Sequence, residues 1–184
     1  VVVRVPLSAV GALDPEGDQR ADDAEAVLAV DGDVATSWRT ERYESFFKEG
    51  VGLVLDAGAV RRLQRLDVVS ATPGVTAEIR SGTSREGPFR TIASEQALSE
   101  VTRFPLGGAR GRYVVVWITG LPGGGEADVA EVRLRARRRV VDRDHPGADP
   151  LAEMEGRARI GGVDRGRQAV PVAVGHVHRL VEVR

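Results

Sequence analysis

The chain has 184 residues, a net charge of −1 and no cysteine. That is enough for one domain that buries roughly 70% of its unfolded surface, with a tail to spare. Disulfides and thiolate metal sites are excluded, and the balanced charge carries no footprint for nucleic acid or an anionic membrane. No apolar run approaches the ~18 residues of a membrane-spanning helix.

In chain order, Val1-Val2-Val3-Arg4-Val5 reads as the inside of a strand and lacks an initiating Met. A longer parent is therefore expected, with any targeting signal or membrane segment upstream. A short helix is expected at 22–29, capped by Asp22 or Asp23 with Glu25 in its first turn. Strands follow at 51–56, 63–69, 75–80, 89–93, 113–119 and 129–135. Each is short and bounded by turn signals, at 72–74, 84–88, 107–108 and 121–125. The strand at 129–135 alternates, with Val132 and Leu134 opposite Glu131, Arg133 and Arg135. Tyr113-Val-Val-Val-Trp-Ile118 is apolar on both faces, as a central strand covered on both sides would be. The pattern predicts an all-β, two-sheet antiparallel sandwich.

Residues 1–138 and 139–184 differ in kind. All eight aromatic residues fall in the first part, and His145, His176 and His178 in the second. A segment without aromatics builds a poor core, so 139–184 is expected as an irregular, Arg- and Gly-rich tail near the composition of disordered chains, with a helix turn or two at 150–159 and a hairpin of 169–174 with 178–183 as its candidate elements. His176 and His178 would share one strand face, but no third metal ligand is in view.

The basic residues are 25 Arg and a single Lys, Lys48. Codon bias in a high-GC genome accounts for this. Recognition of anions by Arg would need a cluster on one face.

Several stretches carry a family resemblance when taken together. They are Leu13-Asp-Pro-Glu-Gly-Asp18, Ala29-Val-Asp-Gly-Asp33, Thr36-Ser-Trp38, Lys48-Glu-Gly-Val-Gly-Leu-Val-Leu-Asp-Ala-Gly58, Arg112-Tyr-Val-Val-Val-Trp-Ile-Thr119 and Ala130-Glu-Val-Arg-Leu134. In this order they resemble the discoidin domain (coagulation factor 5/8 type C, galactose-binding-like), a jelly-roll β-sandwich that binds and usually does no chemistry. Asp-Pro-Glu-Gly-Asp and Lys-x-Gly-Val-Gly-Leu are similar to one branch, the extracellular C-terminal domain of actinobacterial MviN-type membrane proteins. The resemblance covers residues 1–136. It implies recognition of a cell-envelope glycan or peptidoglycan fragment outside the membrane. A protein-docking module, or the accessory domain of a hydrolase, are the alternatives.

Candidate site residues follow. Arg39, Arg42, Tyr43 and Phe46 lie in a charged loop after Trp38, as a ligand-contacting loop at a sandwich end would. The same aromatics could equally form the loop's own small core. The resemblance implies one structural Ca²⁺ held by Asp31, Asp33, Thr36, the carbonyl of Ala130 and Glu131. A plain Asx turn is the alternative. Asp14, Glu16, Asp18, Asp22 and Glu25 fall at EF-hand offsets, but Gln19 stands where the loop needs Gly. Trp38 and Trp117 are expected in the core. Residues 1–138 contain neither His nor Cys, so a serine nucleophile has no obvious base, and no catalytic residue is expected.

Overall fold

The computed structural model describes residues 1–17, 23–72 and 74–138. The tail 139–184, with its expected helix turns, hairpin and histidine pair, lies outside the described residues, as do Asp18 and Asp22. The described elements are β1 Val2–Val5, β2 Ser8–Leu13, a 3₁₀ helix Asp23–Ala29, β3 Trp38–Arg39, β4 Val51–Val69, β5 Thr76–Gly82, β6 Arg90–Ala97, β7 Val101–Pro105, β8 Arg110–Gly120, β9 Asp128–Val129 and β10 Glu131–Arg137.

Strand β4 organises the sandwich. The sequence predicts two strands here, and the structure joins them into one. Its first half pairs with β2 and β8 in the layer β2–β4–β8–β5–β6. Its second half pairs with β10 and β7 in the layer β1–β10–β4–β7. Between the halves the register with β8 breaks from Asp56 to Arg61. There Asp56 caps the bend, accepting from the Gly58 amide at 2.7 Å and from Arg112 Nε and Nη2 at 2.9 and 2.8 Å. All pairing is antiparallel, so both ends of β4 return to the same end of the sandwich. Val51 faces Ile118 near the end of β8, and the Val69 carbonyl accepts from the Ala130 amide at 2.8 Å. The loops 40–50, 70–75 and 121–127 therefore gather at one end.

The doubly apolar strand is central, as its sequence predicts. Val114, Val116 and Ile118 of β8 face the inter-sheet core with Leu53, Leu55, Leu66, Phe104, Leu134 and Trp38. Tyr113, Val115 and Trp117 face the other way and form a second cluster with Val54, flanked by Val10, Leu13 and Phe89. The glycines of Lys-Glu-Gly-Val-Gly-Leu make room for this cluster. A Cβ on Gly50 would stand 2.2 Å from Trp117 Nε1, and one on Gly52 2.7 Å from the same ring.

Three strands escape the sequence pattern, β2, β7 and the two-residue β3. In β7 the inward residues are Thr102 and Phe104, while Val101 points out. Thr102 is tolerated inside because its hydroxyl accepts from the Ser99 amide at 2.8 Å. In β2 a register shift between Ala9 and Gly11 breaks the alternation, and its small residues are weak strand formers. The helix expected at 22–29 is present as 3₁₀ turns. No helix among the described residues is long and apolar enough to cross a membrane.

Candidate functional site

The acidic turn leads from the 3₁₀ helix to Trp38. Its side chains fold back on its own backbone. Asp31 Oδ1 accepts from the Asp33 amide at 2.8 Å and Asp33 Oδ1 from the Ala35 amide at 2.9 Å. The Thr36 hydroxyl lies 2.8 Å from Asp31 Oδ2 and 2.9 Å from the Asp33 carbonyl. Glu131 reaches the turn across 99 residues of chain, accepting from the Gly32 amide at 3.0 Å. It is only 1% exposed. The turn thereby sets Trp38 opposite Val129, with its indole wholly buried.

Of the residues named for Ca²⁺, Asp31, Asp33 and Thr36 share the turn, and Glu131 reaches it through the Gly32 amide. In kind they suit a hard cation: carboxylates, a hydroxyl and carbonyls, three of them in mutual contact around Thr36. An ion would replace the Thr36–Asp31 hydrogen bond. It would also compete with Arg4 Nη2 and Arg133 Nε, which stand 3.4 and 3.7 Å from Glu131 Oε1. Among the described residues, no three Asp, Glu, His or Cys side chains converge as a metal site.

The loop 40–50 is braced on both sides. On one, Thr40 and Tyr43 pair with Ala127 and Gly125 through backbone bonds of 2.7–2.9 Å. On the other, the Glu49 amide donates to Glu16 Oε1 at 2.7 Å, and Lys48 Nζ donates to Asp14 Oδ2. Lys48 also lies 5.1 Å from the Tyr43 ring centroid. Burial raises the Tyr43 phenol above its usual pKa, more than the Lys48 charge lowers it. Burial alone would lower Lys48, but its bond to Asp14 and its charged neighbours outweigh that and raise it.

Tyr43 and Phe46 meet edge to face at 5.2 Å and pack against the main core. They serve as the loop's own small core. The aromatic turned to solvent is Phe47, 91% exposed. Sequence alone could not separate Phe46 from Phe47, because their order within an irregular loop has no period.

Arg39 and Arg42 belong to the rim. Arg39 lines a cleft of about 210 Å³ with Ala71, Thr72, Glu126 and Asp128. Arg42 lies 3.8 Å from Glu126. The cleft is preorganised by Asp128, whose Oδ1 accepts from Ser70 Oγ, the Ala71 and Thr72 amides and Thr72 Oγ1 at 2.8–3.0 Å. Its Oδ2 makes none of these bonds. Sequence alone does not single out Glu126, Asp128 and Thr72: Glu126 and Thr72 lie in loops and Asp128 in the two-residue β9, and only the fold reveals their neighbours. A larger cavity of about 340 Å³ lies by Arg4, Pro6, Val30 and Glu131. The polar side chains in its lining are Arg4 and Glu131, and both Glu131 oxygens are already engaged. The loop-end cleft combines donors and acceptors on a fixed frame, the arrangement that hydroxyl-rich ligands need.

No protein-family model matches the chain. Among solved structures, it is similar to the family 32 carbohydrate-binding module of Clostridium perfringens NanJ in complex with galactose. That match has 19% identity and a TM-score of 0.55, over 73% of this chain and 99% of that one. The family 32 module of AlyQ, in complex with 4,5-unsaturated mannuronic acid, matches at 13% identity and 0.55, over 72% and 97%. The C-terminal domain of a chitobiase from Bacteroides fragilis matches at 12% and 0.55, over 72% and 94%. The chain shares the β-sandwich fold of these modules.

Proposed function

We propose that this chain is a non-catalytic glycan-binding module that takes a sugar at the loop end of its sandwich. The observation that carries the reading is the cleft of Arg39, Thr72, Glu126 and Asp128, on a fold shared with modules solved in complex with sugars. Arg39 and Arg42 stand against Glu126 and Asp128, so the rim is electrically balanced. A neutral sugar face, held through its hydroxyls, suits it. In the finer reading the ligand is a cell-envelope glycan or peptidoglycan fragment. The module would then act outside the membrane as part of an MviN-type actinobacterial parent, as its motifs suggest. Titration calorimetry with galactose, N-acetylglucosamine and muropeptides tests this. Glu126→Gln and Arg39→Ala should each weaken the favoured sugar at least tenfold with unchanged melting temperature. Equal binding by the variants, or none by the parent chain, would overturn the reading.

Phe47 favours a second reading, a protein-docking module, because an apical aromatic on a braced loop is a suitable anchor. In that case Phe47→Ala would abolish a partner contact and leave sugar binding absent throughout.

A structural role is proposed for the acidic turn. Asp31, Asp33, Thr36, the Ala130 carbonyl and Glu131 would hold one Ca²⁺, which would stiffen the turn beneath Trp38 and take no part in ligand contact.

A further inference from the structure

The arginine bias of the chain finds a place on the outer surface of the β1–β10–β4–β7 layer. Leu66, Val68, Phe104, Val132 and Leu134 point into the core, so the residues between them point outward. The register sets Arg4 opposite Arg135, and Arg135 opposite Arg65. One step along, Asp67 lies between Arg133 and Arg103, and at the far end Arg137 lies opposite Val2. Six guanidinium groups thus share one face of a four-stranded layer, in a chain whose net charge is −1. The carboxylates among them are Asp67 and Glu131, both buried. Asp67 is taken by Arg65 at 3.0 Å and Arg103 at 3.4 Å, and Glu131 by Arg4 and Arg133. Arg135 and Arg137 are exposed and have no ion-pair partner among the described residues. Like charges directly opposite across strands work against folding, and the row Arg4–Arg135–Arg65 carries that repulsion.

We infer that this face binds a polyanionic glycan, a polysaccharide with carboxylate or phosphate groups at regular intervals. Guanidinium forks pair bidentately with either group. Strands about 4.8 Å apart, with like-facing residues about 7 Å apart along each, form a grid that a linear polyanion engages at several points. Sheet backbone holds the grid in place before binding, which lowers the ordering cost. Other polyanions fit less well. Single-stranded nucleic acid needs rings for its bases to stack on, whereas Val2, Val69, Val101 and Pro105 lie among these arginines and no aromatic does. Surface helices that enter bilayers add Trp, Phe or Leu to their basic groups, whereas among the described residues the apolar groups beside these arginines are Val and Pro alone. The site is separate from the loop-end cleft and does not rest on that reading.

The test is equilibrium binding of the full chain to polygalacturonate, poly(glycerol phosphate) and neutral dextran. At least one of the two polyanions should bind and dextran should not; which one binds identifies the anion. Binding should weaken steeply between about 0.01 M and 1 M salt, as the Debye length shrinks from about 30 to 3 Å. Each arginine lost should cost roughly five-fold in affinity. Arg135→Gln/Arg137→Gln should therefore bind roughly 25-fold more weakly, and Arg135→Glu/Arg137→Glu more weakly still. Arg85→Glu, a charge change in the 83–89 loop, should stay within about two-fold. The inference fails if neither polyanion binds, or if Arg85→Glu weakens binding as much as the Arg135/Arg137 variants. It also fails if duplex DNA or anionic vesicles bind more tightly than both glycans through the same arginines.

Discussion

The two outer faces of the sandwich use arginine in opposite ways. On the β2–β4–β8–β5–β6 layer, Arg80 lies 4.2 Å from the Trp117 ring centroid and bonds to Glu78, which also accepts from Thr91. Arg112 lies 5.0 Å from the Tyr113 ring and holds Asp56 with both arms of its fork. These guanidiniums roof an apolar cluster and spend their hydrogen bonds inside the molecule. On the β1–β10–β4–β7 layer there is no aromatic floor, and the arginines stand in rows that outnumber their carboxylates. Residue type and sheet geometry are the same on both faces. The neighbour across the strand decides whether an arginine is a roof or a contact.

The largest effect should come from removing the floor. Trp117→Ala takes a buried indole from the second cluster and should cost about 3–5 kcal/mol by thermal or urea unfolding. Trp38→Ala, in the main core, should cost a similar amount. If Trp117→Ala is near neutral, the second cluster is surface decoration and the contrast between faces collapses.

Glu131 is where the rows of arginine meet the acidic turn, and Ca²⁺ would alter both. If the turn holds the ion, Ca²⁺ at about 100 times its Kd should stabilise the fold by about 2.7 kcal/mol, and chelator should remove that gain. Asp31→Ala and Glu131→Ala should each abolish the response, since each takes an anionic ligand from one shell. Identical melting curves with Ca²⁺ and with chelator would leave a plain hydrogen-bonded turn, with Glu131 serving only Gly32, Arg4 and Arg133.

Much of this contrast was written in the sequence, but unevenly. Tyr113–Ile118 announced a strand buried on both faces, because an apolar residue at every position leaves no polar side. Alternation in 129–135 put Arg133 and Arg135 on one face. What alternation could not supply was the partner: that Arg135 faces Arg4 and Arg65 depends on pairings across more than 60 residues. The same limit hid the cleft, since Thr72 and Asp128 meet only after β4 has bent through both layers. β7 gives no pattern to read for a local reason, because a satisfied Thr102 takes an inward place and Val101 points out.

Acid titration separates the two faces more finely. The hydrogen bonds from Arg112 hold the Asp56 carboxyl below its ordinary pKa, more than burial raises it. A depressed carboxyl contributes stability that is present above its unfolded pKa and lost as pH falls through its folded one. Melting temperature followed from about pH 5 to about pH 2 should therefore fall, and Asp56→Asn should flatten part of that limb. An unchanged acid limb in Asp56→Asn would mean that the fork on this face contributes nothing to folding.

The smallest stability effect is expected at Arg135, and it is the most discriminating. Arg135 is exposed, has no ion pair among the described residues and lies between Arg4 and Arg65. Arg135→Glu removes no internal bond and replaces two repulsions with two attractions. Surface substitutions of this kind fall within about 0.5 kcal/mol of neutral, and here the sign should be stabilising, shrinking as salt screens the exposed charges. A roofing arginine should behave oppositely, so Arg80→Glu, placed beside Glu78 and above Trp117, should destabilise. Urea unfolding of the two variants at low and high salt reads the difference directly. A destabilised Arg135→Glu would show that the row is internally satisfied, and the two faces would then use arginine alike.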